Sequence, residues 1–304
     1  MSNNDYNKQD LEPEVPIFII ETDEDDVTSE QLPAPSKSTV STKWLIFTLL
    51  LLLSSIIAYV GYQVWERNFD IGIGISVSPR ENIKKLERPI VDEAPQVILT
   101  QDTILDIGLN IYELHGLQAG LETQRPSEKD QEVYLYCCSA DYTAPGKYLG
   151  SLVLKGKEQN SSGLRLGYMA MHGGNNVIGI SKSEKVKKYI EENGGDFFRQ
   201  FILLSDGEMP LRYYLHGKVE RCAMGRTEND QLFFITSQHK VTMRSFASAL
   251  REYGFVDAIY ITGGGHQTFY RDALGKAHDI FPGKKQGNHK GLWLVFRKRG
   301  LMPQ

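Results

Sequence analysis

The hydropathy pattern of the chain changes character three times. Residues 1–43 are polar and acidic, with scattered prolines and no sustained periodicity. Such a segment buries too little apolar surface to offset the entropy of ordering, so it reads as a disordered tail. Trp44–Trp65 is an uncharged run of 22 residues bracketed by Trp44, Tyr62 and Trp65. A helix of that length rises about 33 Å, enough to cross a bilayer, and aromatic residues at its ends suit the two interfaces. It lies too far along the chain, and is too long, for a cleaved signal peptide, and no small-residue cleavage site follows it. One transmembrane helix is expected there. Residues 66–95 carry charges and Pro79, Pro89 and Pro95, and read as an extended spacer.

From residue 96 to 304 the pattern is that of a folded domain. Apolar, β-rich runs predict strands at Gln96–Leu99, Glu132–Cys138, Tyr148–Leu154, Gly163–Met171, Phe198–Leu204, Val219–Met224, Leu232–Thr236, Val256–Ile261 and Leu292–Phe296. A further short run, Thr268–Tyr270, follows three glycines. Amphipathic periodicity predicts helices over Ser183–Asn193 and Met243–Tyr253, the second with Thr242 as N-cap and Gly254 as the terminating glycine. Many strands and few helices give an α+β domain: a mixed, mostly antiparallel sheet with few flanking helices, preceded by the membrane helix.

Charge alters this picture in one place. Residues 1–43 hold ten carboxylates against three lysines, so the tail carries −7 of a total of −4 and the remainder about +3. An acidic tail of this kind suits a protein partner, whereas no basic block supports nucleic acid binding. Cys137, Cys138 and Cys222 form no CxxC spacing, which excludes a structural zinc site. Three buried thiols are expected, although a bridge from Cys137 or Cys138 to Cys222 stays open. No metal or cofactor is implied.

Three short segments concentrate chemistry. In the first, an apolar strand ends at Thr262 and runs into Gly263, Gly264 and Gly265, followed by His266 and Gln267. Consecutive glycines let bare backbone approach a ligand, with polar groups set around it. In the second, the strand of Met169–Met171 ends at His172, Gly173, Gly174 and Asn175. A His-Gly-Gly run can serve a serine hydrolase, but the sequence has no G-x-S-x-G elbow to match it. In the third, Val219–Gly225, Arg221 sits among apolar neighbours, where a guanidinium needs an anionic partner such as a phosphate or a carboxylate.

In this order and spacing the segments resemble the phosphodiester glycosidase domain family, which includes an enzyme that removes N-acetylglucosamine from a phosphodiester. The likeness covers about Leu164–Gly275: a strand ending in x-G-G, R-x-A-x-G at Arg221–Gly225, and D-A-x-x-x-x-G-G-G from Asp257. Two positions depart from it, His172 where the family has asparagine, and Thr262 where it has aspartate. The resemblance implies a hydrolase acting on a glycosyl phosphodiester or related sugar conjugate. In that picture Arg221 holds the phosphate, His172 or His266 moves the proton, and the glycine turns with Asn175, Thr262 and Gln267 contact the ligand. Their groups would then meet within roughly 10 Å in one pocket. Two other readings stay open. The domain binds a glycan or phospho-ligand without cleaving it, as the missing aspartate suggests, or the chain is a structural link in an envelope assembly. Lys37 and Lys43 on one side of the apolar run balance Arg67 and Arg80 on the other. The expected topology is a single span, with the tail cytoplasmic and the large domain periplasmic or extracellular.

Overall fold

A computed structural model describes residues 41–69 (backbone alone over 63–69), 78–139, 148–162, 165–213, 215–262, 268–281 and 291–300. The tail expected over 1–43 falls outside them up to residue 40. The first helix, α1 (Thr42–Phe69), contains the uncharged run, and its stretch Thr42–Tyr62 is long and apolar enough to cross a membrane. Three of its hydroxyls are satisfied within the helix. Thr48 Oγ1 donates to the Trp44 carbonyl at 3.0 Å, and Ser54 and Ser55 donate to that of Leu51 at 2.9 and 2.8 Å. Back-bonding of this kind removes the cost of carrying Ser and Thr through an apolar phase.

The spacer expected over 66–95 is interrupted by a second helix, α2 (Pro79–Leu86). Pro79 suits the first turn, where its missing N–H costs nothing, and Lys84 and Lys85 complement the dipole at the last turn. Asn82 and Leu86 are buried against the domain. Asn82 Nδ2 donates to Tyr168 Oη at 2.6 Å over Gly179, where a Cβ would meet those atoms at 2.6 and 2.7 Å. Glycine at 179 is therefore what lets the helix approach. The periodicity of eight residues was too short to separate this helix from a charged linker.

Lys85 and Arg88 fasten the end of α2 to Asp230 at 2.9 and 2.7 Å. Burial pushes the Asp230 carboxyl up, but those two bonds and the Arg226 charge outweigh it and hold the group below its ordinary value. The folded value thus lies below the unfolded one, near 3.9. The linked stability is present above about pH 4 and is lost as pH falls through the folded value. Asp230→Asn is expected to cost about 1–2 kcal/mol at neutral pH. It should also flatten the acid side of the melting temperature profile below about pH 4, and an unaltered profile would contradict the assignment.

The strands then run β1 (Gln96–Ile104), β2 (Ile107–His115), β3 (Leu117–Glu122), β4 (Val133–Cys138), β5 (Leu152–Leu154), β6 (Lys157–Asn160), β7 (Gly167–His172) and β8 (Asn175–Ile180). Helix α3 (Lys185–Asn193) leads to β9 (Asp196–Gln200), β10 (Ile202–Leu204), β11 (Cys222–Arg226) and β12 (Leu232–Ser237). After α4 (Met243–Tyr253) come β13 (Asp257–Ile261), β14 (Phe269–Arg271), β15 (Ala277–Asp279) and β16 (Trp293–Lys298). Three sheets result, with orders β1-β2-β12-β11-β13-β10, β15-β14-β4-β16-β3 and β6-β5-β9-β7-β8. Every pairing between these strands is antiparallel. The α+β class with mostly antiparallel sheets is as the pattern predicted.

One core joins the three sheets. Tyr112, Phe234 and Ile259 enter it from the first, Leu135 and Phe296 from the second, Met169 and Phe198 from the third. Helix α4 covers the other face of the first sheet, against Ala223 and Tyr260, while α2 and α3 cover the third, against Tyr168 and Phe197. The ends of α4 are those predicted: Thr242 Oγ1 accepts from Ser245 N at 3.1 Å, and Gly254 has φ 109°. Other expectations shift. The run Phe198–Leu204 divides at Phe201 between two sheets, Tyr148–Leu154 is strand only from Leu152, and β2, β3, β6, β8 and β15 were not predicted.

Candidate functional site

Arg221 stands one residue before β11, and Thr262 one residue after β13. The two strands pair with Cys222 opposite Ile261, so the register places Arg221 across from Thr262. Alternation decides the faces. Cys222 and Met224 enter the central core, and Ala223 packs under α4 with Tyr260. Arg221 therefore shares the outer face with Ala223 and Tyr260.

The Arg221 side chain is 2% exposed. Its backbone N–H donates to Ser237 Oγ at 2.9 Å, Nη2 donates to the Gly217 carbonyl at 3.0 Å, and Nε to that of Val241 at 3.4 Å. The guanidinium carbon lies 5.6 Å from the Tyr260 ring centroid. Among the described residues no carboxylate pairs with it. Among those residues, two carbonyl dipoles and a ring face orient the cation and none neutralises it. A buried charge in that condition is paid for only when an anion arrives, and the planar fork favours a phosphoryl or carboxylate group.

Of the other predicted residues at this end, Thr262 is half-buried. Gly263, Gly264, Gly265, His266 and Gln267 lie outside the described residues. Sequence reasoning missed the supports of the guanidinium: Gly217, Tyr260 and Val241. Tyr260, two before Thr262, was readable from strand alternation; Gly217 lies only four residues before Arg221, whereas the Val241 carbonyl comes from a pairing twenty residues away that no local pattern encodes. Cys137, Cys138 and Cys222 are buried free thiols, and burial raises that of Cys137 well above its ordinary value.

His172 occupies a different place. It ends β7, and Gly173 and Gly174, with φ 57° and 84°, close the hairpin to Asn175. Glycine is needed here because both positions are left-handed. His172 lines a groove of about 710 Å³ with Met171, Asp196, Ala119, Leu121 and Lys155. Its ring meets that of Tyr189 edge-on at 5.7 Å. Asp196 accepts from the backbone N–H groups of Leu121 and Lys155, both at 2.8 Å, while burial pushes its carboxyl up. Asn175 uses its amide to hold α2, donating to the carbonyls of Leu86 and Arg88 at 3.1 and 2.7 Å.

The expectation that His172, Arg221 and Thr262 share one pocket does not hold. Arg226, at the far end of β11 from Arg221, donates to Asn176 beside the hairpin at 2.6 and 2.7 Å. Five residue steps along the strand separate the two arginines, roughly 16 Å. They also point to opposite faces. His172 and Asn175 therefore belong to the groove and its wall, and Arg221 with Thr262 to the other end of the sheet.

A model of the phosphodiester glycosidase family matches residues 140–291, half of the chain. The matched span contains Arg221 and Thr262, and the chain belongs to this family. No curated protein sequence matches it significantly. Among solved structures, it is similar to the zebrafish N-acetylglucosamine-1-phosphodiester alpha-N-acetylglucosaminidase catalytic domain, auto-inhibited by its pro-peptide. That likeness has 15% identity and a TM-score of 0.50, over 69% of this chain and 85% of that one. A hypothetical protein from Synechocystis is similar at 10% identity and TM-score 0.50, over 66% of this chain and 62% of its own. At these identities the structural likenesses speak to the fold alone.

Proposed function

We propose that the chain is a membrane-anchored hydrolase of a glycosyl phosphodiester, or a related sugar conjugate, whose phosphate is held by Arg221. The observation that carries the reading is the buried guanidinium of Arg221, oriented by carbonyls and lacking a carboxylate partner among the described residues. Membership of the phosphodiester glycosidase family supports the same chemistry, and the similar zebrafish protein is by name an N-acetylglucosaminidase of a sugar phosphodiester. In this reading the segment from Thr262 to Gln267 contacts sugar or phosphate oxygens. His266 is the group that moves the proton, because imidazole titrates near neutral pH and His172 stands elsewhere. The apolar helix anchors the chain once, with the acidic tail cytoplasmic and open to a protein partner. The domain lies outside, in the periplasm or the extracellular space.

The test is hydrolysis of chromogenic glycosyl phosphodiesters by the detergent-solubilised full chain. Turnover that vanishes in His266→Ala and persists in His172→Ala is expected. Thr262→Asp, which restores the family's carboxylate, should raise the rate about tenfold or more, on the scale of positioned acid–base groups. Absence of turnover in all forms would reject the enzyme. Thr262 itself favours the second reading, a domain that binds the same ligand without cleaving it, and ligand binding without turnover even in Thr262→Asp would select it.

A further inference from the structure

At the end of β11 remote from Arg221, four cations converge on a small cavity. Lys85 and Arg88 come from α2 and its exit, Arg226 from β11, and Arg299 from the turn after β16; together they line about 160 Å³. The carboxylates lining it are Asp230 and Glu93. Asp230 serves three of the cations, taking Lys85 at 2.9, Arg88 at 2.7 and Arg226 at 3.3 Å. Glu93 is engaged by His115 Nδ1 at 2.6 Å and by the Gly116 N–H at 3.1 Å. Arg299 donates to the carbonyls of Leu117 and Val91. The lining thus carries four positive charges against two negative, an excess of two. Asp257, the cross-strand partner of Arg226, is buried and accepts from the Asp206 N–H at 3.2 Å. Burial pushes its carboxyl up, opposed by the Asp206 N–H and by the charges of Lys85 and Arg226.

Arg226 is the centre of the cluster. It is 8% exposed, Nη1 and Nη2 are bonded to Asp230 and Asn176, and Nε is buried without a partner among the described residues. That Nε is closed off from solvent; the groups an anion in the cavity would meet are the part-exposed cations Lys85, Arg88 and Arg299 around it. The cavity has room for roughly five waters, well below the 300 Å³ or more of a drug-sized pocket. It fits a tetrahedral oxyanion with part of its hydration, and a phosphate dianion balances the excess of two. We infer that this cavity binds a phosphate-class dianion, free or as the head group of a larger molecule. The site is independent of Arg221 and of the activity proposed above. Gly174 borders both this cavity and the 710 Å³ groove.

Calorimetric titration of the detergent-solubilised full chain tests it, with inorganic phosphate and glucose 6-phosphate as probes at fixed ionic strength. Saturable phosphate binding is expected, retained in Arg221→Gln and weakened at least tenfold in Lys85→Gln/Arg88→Gln. These two residues are part-exposed, so the fold tolerates the change; Arg299→Gln, from another element, should weaken binding in the same direction. Asp230→Asn separates a ligand site from a mere anchor for α2. It removes a repelling carboxylate and should tighten phosphate several-fold, although it loosens the helix. Tighter glucose 6-phosphate marks the head-group form, and equal affinity the free anion. No saturation in the wild type, or affinity unmoved by all of the cavity substitutions, would overturn the inference.

Discussion

Replacing Arg221 by alanine is expected to lower kcat/KM toward a glycosyl phosphodiester by 10²–10³-fold or more, the scale set by removing one preorganised charge-stabilising donor. Lysine should not restore it, because a point charge on a flexible stem cannot reproduce the fork that Gly217 and Val241 hold in place. The stability change should have the opposite character. Arg221 is 2% exposed and faces carbonyls and a ring, so the unliganded fold bears the desolvation of a cation without a counter-ion among the described residues. Arg221→Met, which keeps much of the volume, is therefore expected to leave the melting temperature unchanged or raise it. Loss of activity with retained or increased stability is the signature of a binding charge. A large fall in melting temperature with activity intact would show instead that Arg221 is a structural cross-link.

The parts of this fold that were legible in the sequence are those whose determinants are local. Helix α4 has a cap residue, an apolar stripe and a terminating glycine, and all three lie within thirteen residues, so its ends were readable. Strand β13 was readable as a continuous apolar run. By contrast, β2 alternates only partly, with buried residues on both faces, because it packs against the core on one side and under α4 on the other. The site shows the same limit. Arg221 and Thr262 were each recognisable from composition and resemblance, and antiparallel register brings them together. His172 carried an equally suggestive sequence, but whether a strand ends at the same edge as another depends on direction and sheet membership. Those are set by long-range pairing, and here they put His172 in the third sheet and at the other end.

The same distinction decides where the domain begins. A fragment starting at residue 90 looks complete by hydropathy, since the first alternating strand begins at Gln96. It lacks α2, and with it Leu86, which is 1% exposed and packs among Tyr168, Val177, Val186 and Phe197. Losing a buried leucine costs about 2–5 kcal/mol, and the part-exposed pairs to Asp230 add up to about 1 kcal/mol each. Against a total of about 5–15 kcal/mol, that is a large fraction of the domain's stability. A fragment from residue 78 to 304 is therefore expected to melt cooperatively, and one from 90 to 304 to melt roughly 6–20 °C lower for a loss of about 3–5 kcal/mol. The shorter form also uncovers apolar surface on β8 and α3 and should bind a hydrophobic dye before it melts. Leu86→Ala within the longer fragment isolates the packing contribution and should reproduce most of the shift. Equal melting of the two fragments would mean that α2 rests on the domain without stabilising it, and that the folded unit begins at the first strand.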